Sequence, residues 1–289
     1  MKKSFLASAL FIAVSLYFPD INAQCSDAGI CQIGGYLTEE ATERFNLSIS
    51  YKYGYSGKED DIEYHSILLN GNYKVLDNSS VQFLIPYNNN RQASSGLSIS
   101  GIGDLILSWN QKFFSDKNSS FSASGGIKLA TGDDNVDYRP QPLQSGLGTN
   151  DILIGINYSY DRISLGVGYQ HPVGRNDNLY RLKRSDDILV KTSYQLSFDL
   201  LSIIPQLLYI QPLGKSSIID LSSSADEIFI DVDKTGKPQL NLLTEVSYRV
   251  SENFSLIGDF AVPFIKREIN LDGLTRAFSA SFGLSYFIN

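Results

Sequence analysis

From Asp104 to Phe113 the chain alternates. Leu105, Leu107, Trp109 and Phe113 fall on one side, and Asp104, Ser108, Asn110 and Lys112 on the other. A period of two is the signature of a β-strand with one apolar and one polar face. The pattern recurs in twelve segments, at 44–55, 63–75, 79–87, 101–113, 119–130, 149–160, 162–172, 185–196, 198–212, 238–250, 253–265 and 275–288. The first sets Phe45, Leu47, Ile49, Tyr51, Tyr53 and Tyr55 against Asn46, Ser48, Ser50, Lys52 and Gly54. The last sets Phe278, Ala280, Phe282, Leu284, Tyr286 and Ile288 against Ser279, Ser281, Gly283, Ser285 and Phe287. The ninth is the least regular, and Pro205 predicts an interruption there.

The connections alternate as well. Those after even-numbered segments are short: Leu76–Asn78, Phe114–Asn118, Asp161, Ser197 and Ser251–Glu252. Those after odd-numbered segments are mostly longer, with Thr131–Gly148 and Leu213–Lys237 the longest. A soluble sandwich uses strands of about five or six residues and has no reason to sort its loops by length. An outer-membrane barrel has an even strand number, segments of about ten residues, short periplasmic turns and longer extracellular loops. Aromatics near strand ends (Tyr55, Tyr73, Tyr87, Phe113, Tyr158, Tyr160, Tyr194, Tyr248 and Phe264) fit two interfacial girdles. The expected fold is therefore all-β: a transmembrane, antiparallel, up-and-down barrel of twelve strands whose apolar faces meet lipid.

Three expectations concern the N-terminal part. Lys2 and Lys3, the apolar run Phe5–Tyr17 and the Ile21-Asn22-Ala23 ending have the layout of a cleaved secretory signal over 1–23. The run is too short to cross a bilayer as a helix. Residues 24–43 then form a periplasmic segment in which Cys25 and Cys31 close a small disulfide loop, and 44–289 form the barrel. Removing the signal takes two lysines and one aspartate from 24 basic and 31 acidic residues, leaving a net charge of −8. That balance excludes a nucleic-acid partner. The location expected is the bacterial outer membrane.

With apolar residues facing lipid, the opposite set faces the lumen. Counting depth from the strand ends brings Asp104, Lys128 and Asp151 together near the extracellular rim. A lower cluster is expected from Glu245, Arg249 and Asp259, with Lys112 and Lys191 as further lumen cations. Such charges either neutralise one another across strands and hold the wall together, or filter solutes by charge. Ser120, Ser122, Ser124 and Gly126, with Ser279, Ser281, Gly283 and Ser285, leave room for a narrow path.

Catalytic, metal and cofactor chemistry finds little support. Outer-membrane phospholipase A, another twelve-stranded barrel, pairs a His and a nearby Ser on one strand. Here His65 and Ser66 are adjacent, so they point to opposite faces. The run IFIDVDKTG (228–236) resembles the nucleophile motif of haloacid-dehalogenase-like phosphatases, which needs an α/β fold. It also begins like a calcium loop with Asp231, Asp233, Thr235 and Gly236, but Leu242 stands where the bidentate Glu belongs. LGKSS (213–217) has Tyr209 where a phosphate loop needs its first Gly. No enzyme activity, cofactor or metal is expected.

Two stretches carry a family resemblance: SGIGDLILSWNQKF, and GGIKLATGDDN continuing to GLGTNDILIGINYSY. The first is similar to a Gly-x-Gly-Asp motif leading into a strand. The second is similar to Lys-Leu-x-Thr-Gly-Asp, a loop, then Gly-x-Gly-x-x-Asp. Both are features of the outer-membrane transporter family named for the meta-pathway of phenol degradation. The matching positions are Gly101, Gly103, Asp104, Lys128, Leu129, Thr131, Gly132, Asp133, Gly146, Gly148 and Asp151; Ala130 stands where that family usually has Pro. The resemblance implies an outer-membrane channel or facilitated transporter for small organic molecules, hydrophobic ones included. The competing expectation is a structural or surface-interaction barrel with a closed lumen and partner-binding loops.

Overall fold

The computed structural model describes residues 44–222 and 227–288. The signal segment, the 24–43 segment and the Cys25–Cys31 loop lie outside the described residues. Alternating sequence becomes strand throughout: β1 (Phe45–Tyr55), β2 (Ile62–Leu76), β3 (Ser79–Gln92), β4 (Ser98–Ile102), β5 (Leu105–Ser115), β6 (Ser119–Leu129), β7 (Asn150–Tyr160), β8 (Ile163–Val173), β9 (Asp187–Tyr194), β10 (Leu196–Phe198), β11 (Leu201–Pro212), β12 (Ser217–Ile219), β13 (Phe229–Asp231), β14 (Gln239–Arg249), β15 (Phe254–Ile265) and β16 (Phe278–Ile288).

β4 and β5 are two halves of one wall strand, as are β9 and β10. β12 and β13 make a separate extracellular hairpin. The result is a closed, antiparallel barrel of twelve wall strands, sealed where β1 pairs with β16 from Phe45–Ile288 to Tyr55–Phe278. Closure leaves no edge whose unpaired N–H and C=O groups would meet lipid.

Parity decides which face each side chain takes. Phe282 is 64% exposed, whereas Ser279 and Asn241 are fully buried in the lumen. Ile49, Tyr51, Ile154, Ile156 and Phe260 stand on the outer face, where a soluble protein would place charge. Of the aromatics expected in the girdles, Tyr73, Tyr87, Phe113, Tyr158, Tyr160, Tyr194, Tyr248 and Phe264 are exposed, and Tyr55 is partly so.

Some boundaries differ from the sequence reading. β3 runs on to Gln92 and pairs with β4 as a tall hairpin, because Asn88 and Asn90 find partners in the lumen. The turn placed at Ser197 lies at Asp199–Leu200, where Asp199 takes a positive φ of 53°. The last strand starts at Phe278, so residues 275–277 belong to the preceding loop. At Gly103–Asp104 the pairing breaks between β4 and β5, and Gly103 N–H bonds Pro86 O at 2.8 Å. This irregularity swings Asp104 inward, and Ile106 follows it.

Candidate functional site

The upper lumen is built around Lys128, the penultimate residue of β6 and fully buried. Register places Ile106 of β5 on one side of it and Asp151 of β7 on the other. Its Nζ lies 3.3 Å from Asp104 Oδ2 and 3.1 Å from Asp151 Oδ2. Asp151 also accepts from Arg184, Gln170 and Thr149. The predicted trio of Asp104, Lys128 and Asp151 is thus brought together. Arg184, on the loop between β8 and β9, completes a second cation–carboxylate pair. Burial disfavours the Arg184 cation, but the carboxylates of Asp151, Asp272 and Asp187 together outweigh this and raise its pKa.

The trio does not line an open mouth: all three side chains are buried. The loop 130–149 folds inward over it. Asp104 accepts from the backbone N–H of Leu147 at 2.8 Å and of Gly132 at 3.2 Å. Thr131 Oγ1 donates to Gly103 O at 2.8 Å and accepts from Leu105 N–H at 2.9 Å. Asn88 and Asn90 donate to the carbonyls of Ser145 and Gln144 at 2.8 and 2.6 Å. Asn176 donates to Gln141 Oε1 at 2.6 Å, and Asn178 to Asp134 O at 2.6 Å. Gly132 and Gly146 touch back to back: a Cβ on Gly146 would lie 2.6 Å from the Gly132 backbone. The conspicuous Gly, Thr and Asp positions of 101–151 are therefore the hinge and anchor of this loop.

A second loop, 266–277, enters from the other side. Arg267 Nη1 bonds Asp272 Oδ2 at 2.9 Å, and its Nη2 lies 3.9 Å from Asp187. Gly273, at φ 76°, approaches Pro142 of the first loop so closely that a Cβ would meet Pro142 Cα at 2.8 Å. The cavity left between the two loops has a volume of about 40 Å³ and is lined by Tyr64, Asn88, Asp104, Leu147, Leu274 and Arg276, among others. That is room for a water molecule or so, not for an organic solute.

The lower cluster assembles in part. Glu245 and Asp259 are register partners; Gln206 Nε2 donates to Glu245 at 2.5 Å, and Ser281 donates to Asp259. Arg249 sits nearer the periplasmic end opposite Ser255, its guanidinium 5.6 Å from the Phe287 ring centre. Lys191 is buried in the lumen and Lys112 half-buried.

The lumen also holds residues that the sequence reading passed over. Leu68, Leu84, Ile106 and Leu153 pack together on the β2, β3, β5 and β7 wall. Leu189, Leu208, Ile210, Leu243 and Ala261 do so on the wall from β9 to β15, joined by Leu274 of the second loop. These apolar patches share the interior with the small residues of β6 and β16. The signal was available: each leucine shares strand parity with lumen residues, as Leu153 does with Asp151.

His65 and Ser66 face opposite ways. Ser66 is buried and donates to Asn88, whereas His65 lies outside against Tyr51 at 2.6 Å. Asp233 of the calcium-like run pairs with Lys215 at 2.6 Å. Among the described residues, no group of three or more His, Cys, Asp or Glu is placed to hold a metal.

No protein-family model matches the chain, and no curated protein is similar to it in sequence. Solved structures do match its fold. An outer membrane channel of the COG4313 group from Pseudomonas putida F1 is 14% identical with a TM-score of 0.64, covering 85% of this chain and 96% of the channel. The KdgM porin is 8% identical with a TM-score of 0.47, covering 84% of this chain and 99% of the porin. Outer membrane phospholipase A from Escherichia coli is 11% identical with a TM-score of 0.43, covering 88% and 98% of the two chains. The first likeness shows an outer-membrane barrel fold; the other two are too loose to support an argument.

Proposed function

We propose that the protein is an outer-membrane channel for small organic molecules with apolar surface, held shut in this structure by its two inward loops. One observation carries the reading: two leucine-rich patches line the lumen, where a water-filled pore would carry polar side chains. The signal layout of 1–23 and the phenol meta-pathway resemblance over 100–160 agree with it. The Asp104–Lys128–Asp151 trio then serves as the anchor of the loop rather than as an ion filter.

The test uses intact cells, because lipopolysaccharide excludes apolar dyes that cross phospholipid freely. Cells that express the protein should take up N-phenylnaphthylamine several-fold faster than cells lacking it, read as fluorescence onset. Equal rates, with the folded barrel present in the outer membrane, overturn the reading. A second reading, a surface-interaction barrel, is favoured by the β12–β13 hairpin, which exposes Leu221, Ile228 and Ile230. Trimming 213–237 should then abolish a binding phenotype and leave dye entry unchanged.

A further inference from the structure

The wall formed by β9, β11 and β14 carries an unusual set of unanswered groups. Asn241 is fully buried, yet both its Oδ1 and Nδ2 lack hydrogen-bond partners. Gln239 is 1% exposed, and both its Oε1 and Nε2 lack them too. Buried amide groups left unmet lose their hydration with nothing in return. Native structures keep few of them, and a pair two residues apart on one strand face calls for a ligand or for water. Asn241 lies opposite Leu208 in register, and Gln239 opposite Ile210. The amides therefore border the apolar patch of Leu189, Leu208, Leu243 and Ala261. Leu274 covers that patch from the inward loop 266–277, entering it from outside the wall.

We propose that this wall is a solute station for an uncharged amphipath. Its apolar part lies on Leu189, Leu208, Leu243 and Ala261, and its hydrogen-bonding head, an amide or alcohol, reaches Gln239 and Asn241. Leu274 holds the place of the apolar part while the channel is shut. The inference rests on the channel reading and gives it a solute chemistry.

The choice of an uncharged head follows from the charges around the patch. Asp187 faces Arg267, which also holds Asp272, and Lys191 is coupled electrostatically to Glu245. Arg184 is committed to Asp151. The unmet groups that border the patch, Gln239 and Asn241, are neutral amides, which donate and accept; the unpartnered Asp187 Oδ1 and the Nε of Arg184 and Arg267 belong to side chains already held in ion pairs. An ionic head would leave water here without a counter-charge waiting for it. A neutral head gains two amide partners and displaces a leucine rather than a counter-ion.

The test measures binding without transport. The purified, refolded barrel is heated in micelles, and the midpoint for loss of its compact, heat-modifiable form is followed with hexanamide, hexanoate or hexylamine at equal concentrations. Hexanamide should raise the midpoint at least three times as far as either charged homologue. The Gln239→Leu/Asn241→Leu variant should lose that preference. Leu274→Ala removes the competing side chain and should lower the hexanamide concentration needed by about tenfold; it keeps the test open if the double variant does not fold. Equal shifts from all three probes, or an unchanged preference in the double variant, overturn the proposal. So does no shift from any probe on the folded protein, which would mean the amides are merely hydrated. Dye entry is read separately, so binding without entry counts against the channel reading and leaves the station standing.

Discussion

At the level of single residues, the decisive group is Lys128. It is fully buried between two carboxylates, and one of these, Asp104, also receives two backbone N–H groups of the inward loop. Removing one member of a buried ionic network leaves uncompensated charge, at a cost of about 3–5 kcal/mol. Lys128→Met should destabilise the folded barrel by roughly that amount, measured by urea unfolding and refolding in micelles. A variant as stable as the parent would show that the trio is water-filled and weakly coupled. The juxtaposition of Asp104, Lys128 and Asp151 was legible in the sequence, because strand parity and depth fix it. Its burial was not, because burial depends on where the loop 130–149 goes, and a loop has no period to read. Arg184 was missed for the same reason: it sits on a connection, not on an alternating strand.

At the level of elements, the two loops differ in how they are fastened. The first is fastened by backbone contact between Gly132 and Gly146. Gly146→Val drives a side chain into the Gly132 backbone, and the loop must lift. Chymotrypsin should then cut after Tyr138 of the variant many times faster than in the parent, while the barrel keeps its heat-modifiable migration. Equal cutting would place the loop's stability elsewhere. The second loop is also tied at the surface. Glu268 accepts from Lys234 at 2.5 Å and Lys237 at 2.7 Å, linking it to the long connection 213–238. Hydrogen bonds from these lysines pull the Glu268 pKa down to about 2. A depressed carboxylate favours the clamped state above its free pKa of about 4.3, and that contribution fades as the pH falls through the folded value. A nitroxide at Ser222 should therefore keep its mobility from pH 7 to 5 and loosen only between about 4 and 2. Loosening already by pH 5 would contradict the clamp. Strand positions were read from the sequence almost residue by residue, as in β1 and β7. The exceptions have physical causes: Asn88 and Asn90 extend β3 because the inward loop supplies their partners.

For the whole molecule, alternation fixes the barrel and parity fixes its two faces, but the state of the lumen depends on contacts between distant loops. The small residues of β6 and β16 leave room for a narrow path. The structure places leucines on two lumen walls and two loops across the mouth. On the proposed reading, the barrel conducts little until the loops move. The central claim is that closure resides in these loops and not in the wall. It is tested most directly by single-channel conductance in a planar bilayer, comparing the parent with a variant whose residues 134–145 are replaced by a short Gly-Ser linker. The account predicts a small or absent conductance for the parent and a rise of at least several-fold for the variant, with the barrel intact by heat-modifiable migration. An intact variant that conducts no better than the parent would contradict it.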